Sequence, residues 1–158
     1  MDLLTRPVGQ DSVRQAPPPS RSHTHGDQWD MTLTVTASSI EHIRGITQAH
    51  LHFWGFQEVD TTLLGVSELL TNVLKHAGPK EARILVQCTA DGVCVTVGDL
   101  ESKLPIVKAV GPLSENGRGL VLLRALADGF GVTRTRSGKD VWFSVTYPSA
   151  EADRQGPR

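Results

Sequence analysis

Glu68-Leu69-Leu70-Thr71-Asn72-Val73-Leu74-Lys75-His76-Ala77 is the stretch on which the reading of this chain turns. At the roughly 100° per residue of an α-helix, Leu63, Val66, Leu70, Val73 and Ala77 fall on one apolar stripe. A helix is therefore expected from Asp60 to Ala77, stopping before Gly78-Pro79, a pair that breaks helices. The opposite arc carries Glu68, Asn72, Lys75 and His76: a carboxylate, an amide, an ammonium and an imidazole. Such a set suits a metal-bound polyphosphate. The solvated side of an ordinary amphipathic helix has the same appearance in sequence.

Upstream, Trp29, Met31, Leu33 and Val35 alternate with Asp30, Thr32, Thr34 and Thr36 in the period of a half-buried strand. Ser38 and Glu41 then have the spacing of a capping box, and Ile40, Ile43, Ile46 or Thr47, and Phe53 continue at helical spacing, which predicts a helix from about Ser39 to Phe53. Downstream, Ala82 to Thr89 and Val93 to Val97 read as a hairpin around Ala90-Asp91-Gly92. From Gly98 to Gly119 the pattern is irregular. Leu120 to about Ala127 is apolar nearly all round, which predicts a buried helix. Two last strands, Phe130 to Arg136 and Val141 to Tyr147, are joined through Ser137-Gly138-Lys139-Asp140. Because hairpins connect most strands, the order predicts an α+β fold, a two-layer sandwich with a mixed, mostly antiparallel sheet and helices on one face.

A domain over residues 29–148 is flanked by segments of another character. Residues 1–28, with Pro17-Pro18-Pro19 and no apolar periodicity, read as a disordered arm, and 149–158 as a flexible tail. His23 and His25 in that arm lack the further ligands that a metal needs. The chain has 158 residues, 16 basic against 17 acidic, and a net charge of -1. No long-range positive field favours nucleic acid or an anionic membrane. No apolar run reaches the roughly 20 residues of a spanning helix, and no signal-peptide layout opens the chain, so a cytoplasmic protein is expected. With the turn at Asp91-Gly92, Ala90 pairs with Val93 and Cys88 with Val95, which sends Cys88 and Cys94 to opposite sheet faces. Two free thiols are expected, Cys88 being a small buried apolar residue.

Two further features carry chemistry. In Glu115-Asn116-Gly117-Arg118-Gly119-Leu120 a Gly-x-Gly step opens a helix. Glycines let the backbone approach phosphate oxygens, and the helix start and Arg118 supply positive potential. Asp99 ends a strand, where its carboxylate can accept from an exocyclic amine such as that of adenine, or serve as a turn residue.

Taken in order, Glu68 to Ala77, then Asp99, then Gly117-Arg118-Gly119-Leu120 resemble the GHKL, or Bergerat, ATP-binding superfamily, over about Trp29 to Tyr147. Ser67 to Asn72 and Gly138-Lys139-Asp140-Val141-Trp142-Phe143 are most similar to its anti-sigma factor and serine-protein kinase branch, typified by RsbW and SpoIIAB. The resemblance implies ATP and Mg²⁺ as cofactors, with Asn72 the metal-binding asparagine and Glu68 the catalytic carboxylate, a general base. It also implies that Lys75 and His76 line the phosphate end and that Asp99 reads adenine. Gly117, Arg118, Gly119 and Leu120 would contact the phosphates, with residues 106–116 as a lid. The implied function is a protein serine/threonine kinase that phosphorylates an anti-sigma antagonist of STAS type and sequesters a sigma factor. Homodimerisation through the first helix, around Arg44, is compatible with it; the alternative is a non-catalytic, nucleotide-dependent binding module. One departure stands out: the family's first glycine box often reads Asp-x-Gly, whereas Asp99 is followed by Leu100-Glu101-Ser102-Lys103.

Overall fold

The computed structural model describes residues 28–100 and 118–147. The expected lid and tail, Gly117, and the arm apart from Gln28, which begins a strand and not a disordered segment, lie outside the described residues. Eight elements follow in order: β1 Gln28–Thr34, α1 Ala37–Phe53, α2 Asp60–His76, β2 Glu81–Cys88, β3 Gly92–Asp99, α3 Arg118–Leu126, β4 Gly129–Arg134 and β5 Lys139–Thr146. The strands form one sheet in the order β1-β2-β3-β5-β4, and all four pairings are antiparallel. This is the expected α+β architecture, with the sheet antiparallel throughout.

Alternation decides which sheet face takes the helices. Ala82, Ile84 and Val86 on β2 stand opposite Asp99, Val97 and Val95 on β3, and these apolar side chains are buried in the core beneath α2. The predicted stripe of α2 is buried as a whole, and Thr62, Gly65 and Leu69 are buried too. The buried arc is wider than the stripe because α1 and α3 both pack against α2. Gly65 sits where a Cβ would run into the Phe143 ring, itself fully buried, so glycine sets how closely α2 approaches the sheet.

The first helix ends at Phe53 as expected but starts two residues earlier, at Ala37. Its cap is Thr36, not Ser38. The Thr36 hydroxyl accepts from the Ser39 N–H at 3.0 Å, and Ser39 Oγ accepts from the Thr36 N–H at 2.8 Å, a reciprocal box two residues earlier than the one read from Glu41. Glu41 instead lies 4.0 Å from Arg44 on the exposed surface. At the other end Gly55, at φ 94°, donates to His52 and Phe56 donates to Leu51, a Schellman closure that only a left-handed residue permits. Phe53 falls on the arc opposite the buried Ile40, Ile43, Thr47 and Leu51 and is 83% exposed, so Leu51 holds the core position expected of Phe53. His50 stacks on Trp29 of β1, tying helix to edge strand.

The β2–β3 turn sits one residue earlier than predicted, around Ala90-Asp91 and closed by the Thr89 N–H on the Gly92 carbonyl, so the register moves by two and Cys88 pairs with Val93 and Gln87 with Cys94. A shift of two keeps side-chain parity, and the cysteines remain on opposite faces as free thiols. The buried one, however, is Cys94; Cys88 is half-buried. The third helix is also corrected: only Leu120 and Leu123 are buried, while Val121, Leu122 and Leu126 face outward, because α3 touches the core along a single stripe.

Gly65→Ala is expected to lower stability by about 1–3 kcal/mol through overpacking on Phe143. Gly45→Ala, in α1 with open space around it, is expected to raise it by about 0.5–1 kcal/mol; urea denaturation of both variants checks the pair. Burial pushes the Cys94 thiol up to about 11, so a thiol reagent at pH 8 should label Cys88 and leave Cys94 intact until the protein unfolds.

Candidate functional site

The polar arc of α2 does not stand away from the fold. Glu68 and Asn72 are half-buried at the margin of the packed arc, one turn apart, while Lys75 and His76 are exposed in the last turn. The α3 N-terminus closes over this margin. A Cβ on Gly119 would coincide with the Glu68 carboxylate, so that carboxylate lies directly against the glycine backbone. Glu68 thus occupies the first turn of α3, where helix N–H groups have no intrahelical partners and the dipole favours negative charge. Arg118, exposed, precedes Gly119; Leu120, buried, anchors the turn in the core. The structure therefore brings together Glu68 and Gly119, which sequence places 51 positions apart.

Asp99 forms a second cluster. It ends β3 on the helix-bearing side of the sheet, in register with Ala82 on one neighbour and Lys139 on the other. The Lys139 ammonium lies 3.3 Å from one Asp99 oxygen and 3.2 Å from the other, with both side chains only 7% exposed. The expected turn over Ser137 to Asp140 is corrected here. The turn is Thr135 to Gly138, closed by the Thr135 N–H to the Gly138 carbonyl and by the Gly138 N–H to Thr135 Oγ1, each at 3.0 Å. A side chain at Gly138 would strike the Asp99 carbonyl, so glycine lets the turn pack on that strand end. Lys139 and Asp140 consequently belong to β5 and point to opposite faces. On the helix-free face Asp140 sits over Gly98, where burial pushes its carboxyl above the ordinary carboxylate value, the Arg83 charge opposing and Asp99 adding to the rise.

Chain connectivity relates the two clusters. Only residues 77–80 join the end of α2 to β2, and Ala82 is the partner of Asp99, so the Asn72-to-His76 end of α2 lies toward the sheet end that carries Asp99 and Lys139. Among the described residues no three His, Cys, Asp or Glu side chains gather as a metal cage. Glu68 and Asn72 nevertheless supply oxygen donors of the kind Mg²⁺ takes alongside phosphate and water, and the Gly119 cradle admits a close ligand, so the residues present fit an Mg-nucleotide. Lys139 is the residue that sequence reasoning missed as part of the site. Its strand position depends on where the turn ends, and the one available signal was Gly138 just before it.

Residues 33–145 match the histidine kinase-like ATPase domain family. Comparison with curated proteins gives no match. The matched span runs from late β1 nearly to the end of β5 and includes every candidate site residue.

The Glu68–Gly119 contact is open to a double-mutant cycle. Gly119→Ala is expected to cost about 1 kcal/mol with Glu68 present and markedly less in a Glu68→Ala background, a coupling of about 0.5–1 kcal/mol by urea denaturation. Zero coupling would mean that the carboxylate does not rest on this glycine.

Proposed function

The chain belongs to the histidine kinase-like ATPase domain family, an ATP-binding module of GHKL type, and on that footing we propose that it is an anti-sigma-type regulator that transfers phosphate from Mg-ATP to a serine or threonine of a partner protein. The partner in this reading is a small anti-sigma antagonist of STAS type, and a sigma factor is the protein sequestered. The observation that carries the reading is the Glu68 carboxylate, held against Gly119 at the head of α3 with Asn72 one helical turn further on.

In phosphoryl transfer, positioning and electrostatics account for most of the catalysis. Bound Mg²⁺ supplies charge neutralisation between the phosphates, and the Asn72 amide oxygen is the group that would hold it. Glu68, within reach of the same space, orients an acceptor hydroxyl and takes its proton. Arg118 and the first N–H groups of α3 offset charge on the transferring group. Lys75 and His76, exposed at the end of α2, face the outer phosphates. Gly117 and residues 106–116 belong to the same proposal as phosphate contact and lid.

A second reading, a nucleotide-dependent binding module without phosphoryl transfer, draws on α3, which leaves Val121, Leu122 and Leu126 exposed beside the site. Contact between two copies through α1 is compatible with either.

Calorimetric titration with Mg-ATP is the test. Binding is expected for the unaltered protein and about tenfold or weaker for Asn72→Ala and Asp99→Ala, as for the loss of a hydrogen bond to a charged group. Glu68→Gln should keep binding yet lower phosphoryl transfer to a co-purified antagonist by about 10²–10⁴-fold. Transfer that survives Glu68→Gln removes the base assignment. Tight binding without any transfer selects the second reading.

A further inference from the structure

Lys139 is a buried cation to which the chemistry above gives no part. Its ammonium touches both oxygens of Asp99, at 3.3 and 3.2 Å, and both side chains are almost wholly enclosed. Burying such a pair contributes little net stability, since desolvation offsets the Coulombic gain. What the pair does provide is chemical asymmetry. An ionised carboxylate only accepts hydrogen bonds and an ammonium only donates them, so an acceptor and a donor stand side by side at the end of β3 and β5.

Adenine carries the complementary pattern. Its exocyclic amine donates, and a ring nitrogen adjacent to that amine accepts, N7 on the major-groove edge and N1 on the pairing edge. Resting on the nucleotide reading above, we propose that Asp99 and Lys139 form a two-point base reader, in which Asp99 accepts from the exocyclic amine and Lys139 donates to the neighbouring ring nitrogen. The Lys139 ammonium turns about its own bond and presents three donors, so it redirects one N–H to the base while remaining against the carboxylate. The register fixes both groups: they are Cα partners on adjacent strands, and the Thr135 to Gly138 turn, packed through Gly138 on the Asp99 carbonyl, sets where β5 begins. Lys139 is thus a specificity-determining residue. A lysine that merely balanced the Asp99 charge would be indifferent to which atom the base carries beside its amine.

That difference is measurable by titrating the unaltered protein, Lys139→Met and Lys139→Arg with ATP, 1-deaza-ATP and 7-deaza-ATP, in each of which a CH replaces one ring nitrogen. With the unaltered protein, one of the two analogues is expected to bind about tenfold weaker than ATP. In Lys139→Met, ATP weakens to the level of that analogue and the preference vanishes; in Lys139→Arg it returns. Circular dichroism confirms folding of each variant, and should Lys139→Met fail to fold, the analogue comparison on the unaltered protein decides alone. ATP binding with both analogues bound as tightly as ATP overturns the base reader and leaves the nucleotide reading intact, as does a preference that persists in Lys139→Met. No ATP binding by the unaltered protein overturns the nucleotide reading and the base reader with it.

Discussion

The approach of α2 to the sheet at Gly65 is the constraint on which the rest of the structure depends. A β-carbon at this position would occupy the space of the Phe143 ring, and that ring is fully buried with no slack to move into. With glycine there, the helix drops onto the sheet far enough to enclose Val66, Leu70 and Val73. The same descent turns Glu68 and Asn72 toward the margin of the packed arc instead of into open water. A second glycine, Gly119, works on the other side: α3 comes close enough for its first turn to rest on the Glu68 carboxylate. The candidate phosphate end of the site is therefore the gap between two helices whose separation is set by hydrogen atoms where side chains would otherwise stand.

The opposite end of the site obeys a different rule, that of antiparallel register. Side chains alternate along a strand, so the placing of one turn decides which residues of β5 meet Asp99. Because the turn closes at Gly138, Lys139 is the first strand residue and lies across from Asp99, while Asp140 goes to the other face over Gly98. Had the strand begun one residue later with the same pairing count, a second carboxylate would have faced Asp99 in place of the ammonium, and two like charges would have shared a poorly hydrated space. The electrostatic character of this strand end is a product of turn geometry.

Much of this was legible in the sequence, for physical reasons that differ by region. The stripe of α2 and the strand alternation of β2 and β3 are periodic over long stretches, and burial in the core follows the period directly. Resemblance to the GHKL superfamily, carried by Glu68, Asn72, Asp99 and the Gly119 turn, agreed with the fold and with the family matched by residues 33–145. Other features were not legible. The α1 cap went to Thr36 because Ser39, not Glu41, supplied the reciprocal hydroxyl, and several serines and threonines in a row offer equal local signals. The outward side of α3 read as buried because composition alone does not say how many neighbours a short helix has. Lys139 was assigned to a turn because Ser-Gly-Lys-Asp is turn-like by residue type, and a shift of two residues at a hairpin end cannot be seen without the partner strand.

The two clusters differ in what holds them together. Asp99 and Lys139 are placed by paired strands of the sheet and shielded from water. The Glu68–Gly119 contact joins two helices, one of which, α3, is nine residues long and buries Leu120 and Leu123 in the core. The Glu68 carboxylate rests on Gly119 of the helix that carries the exposed Val121, Leu122 and Leu126. The Glu68–Gly119 contact and an apolar outer surface thus share one short helix, whereas the Asp99–Lys139 pair is set by strand register.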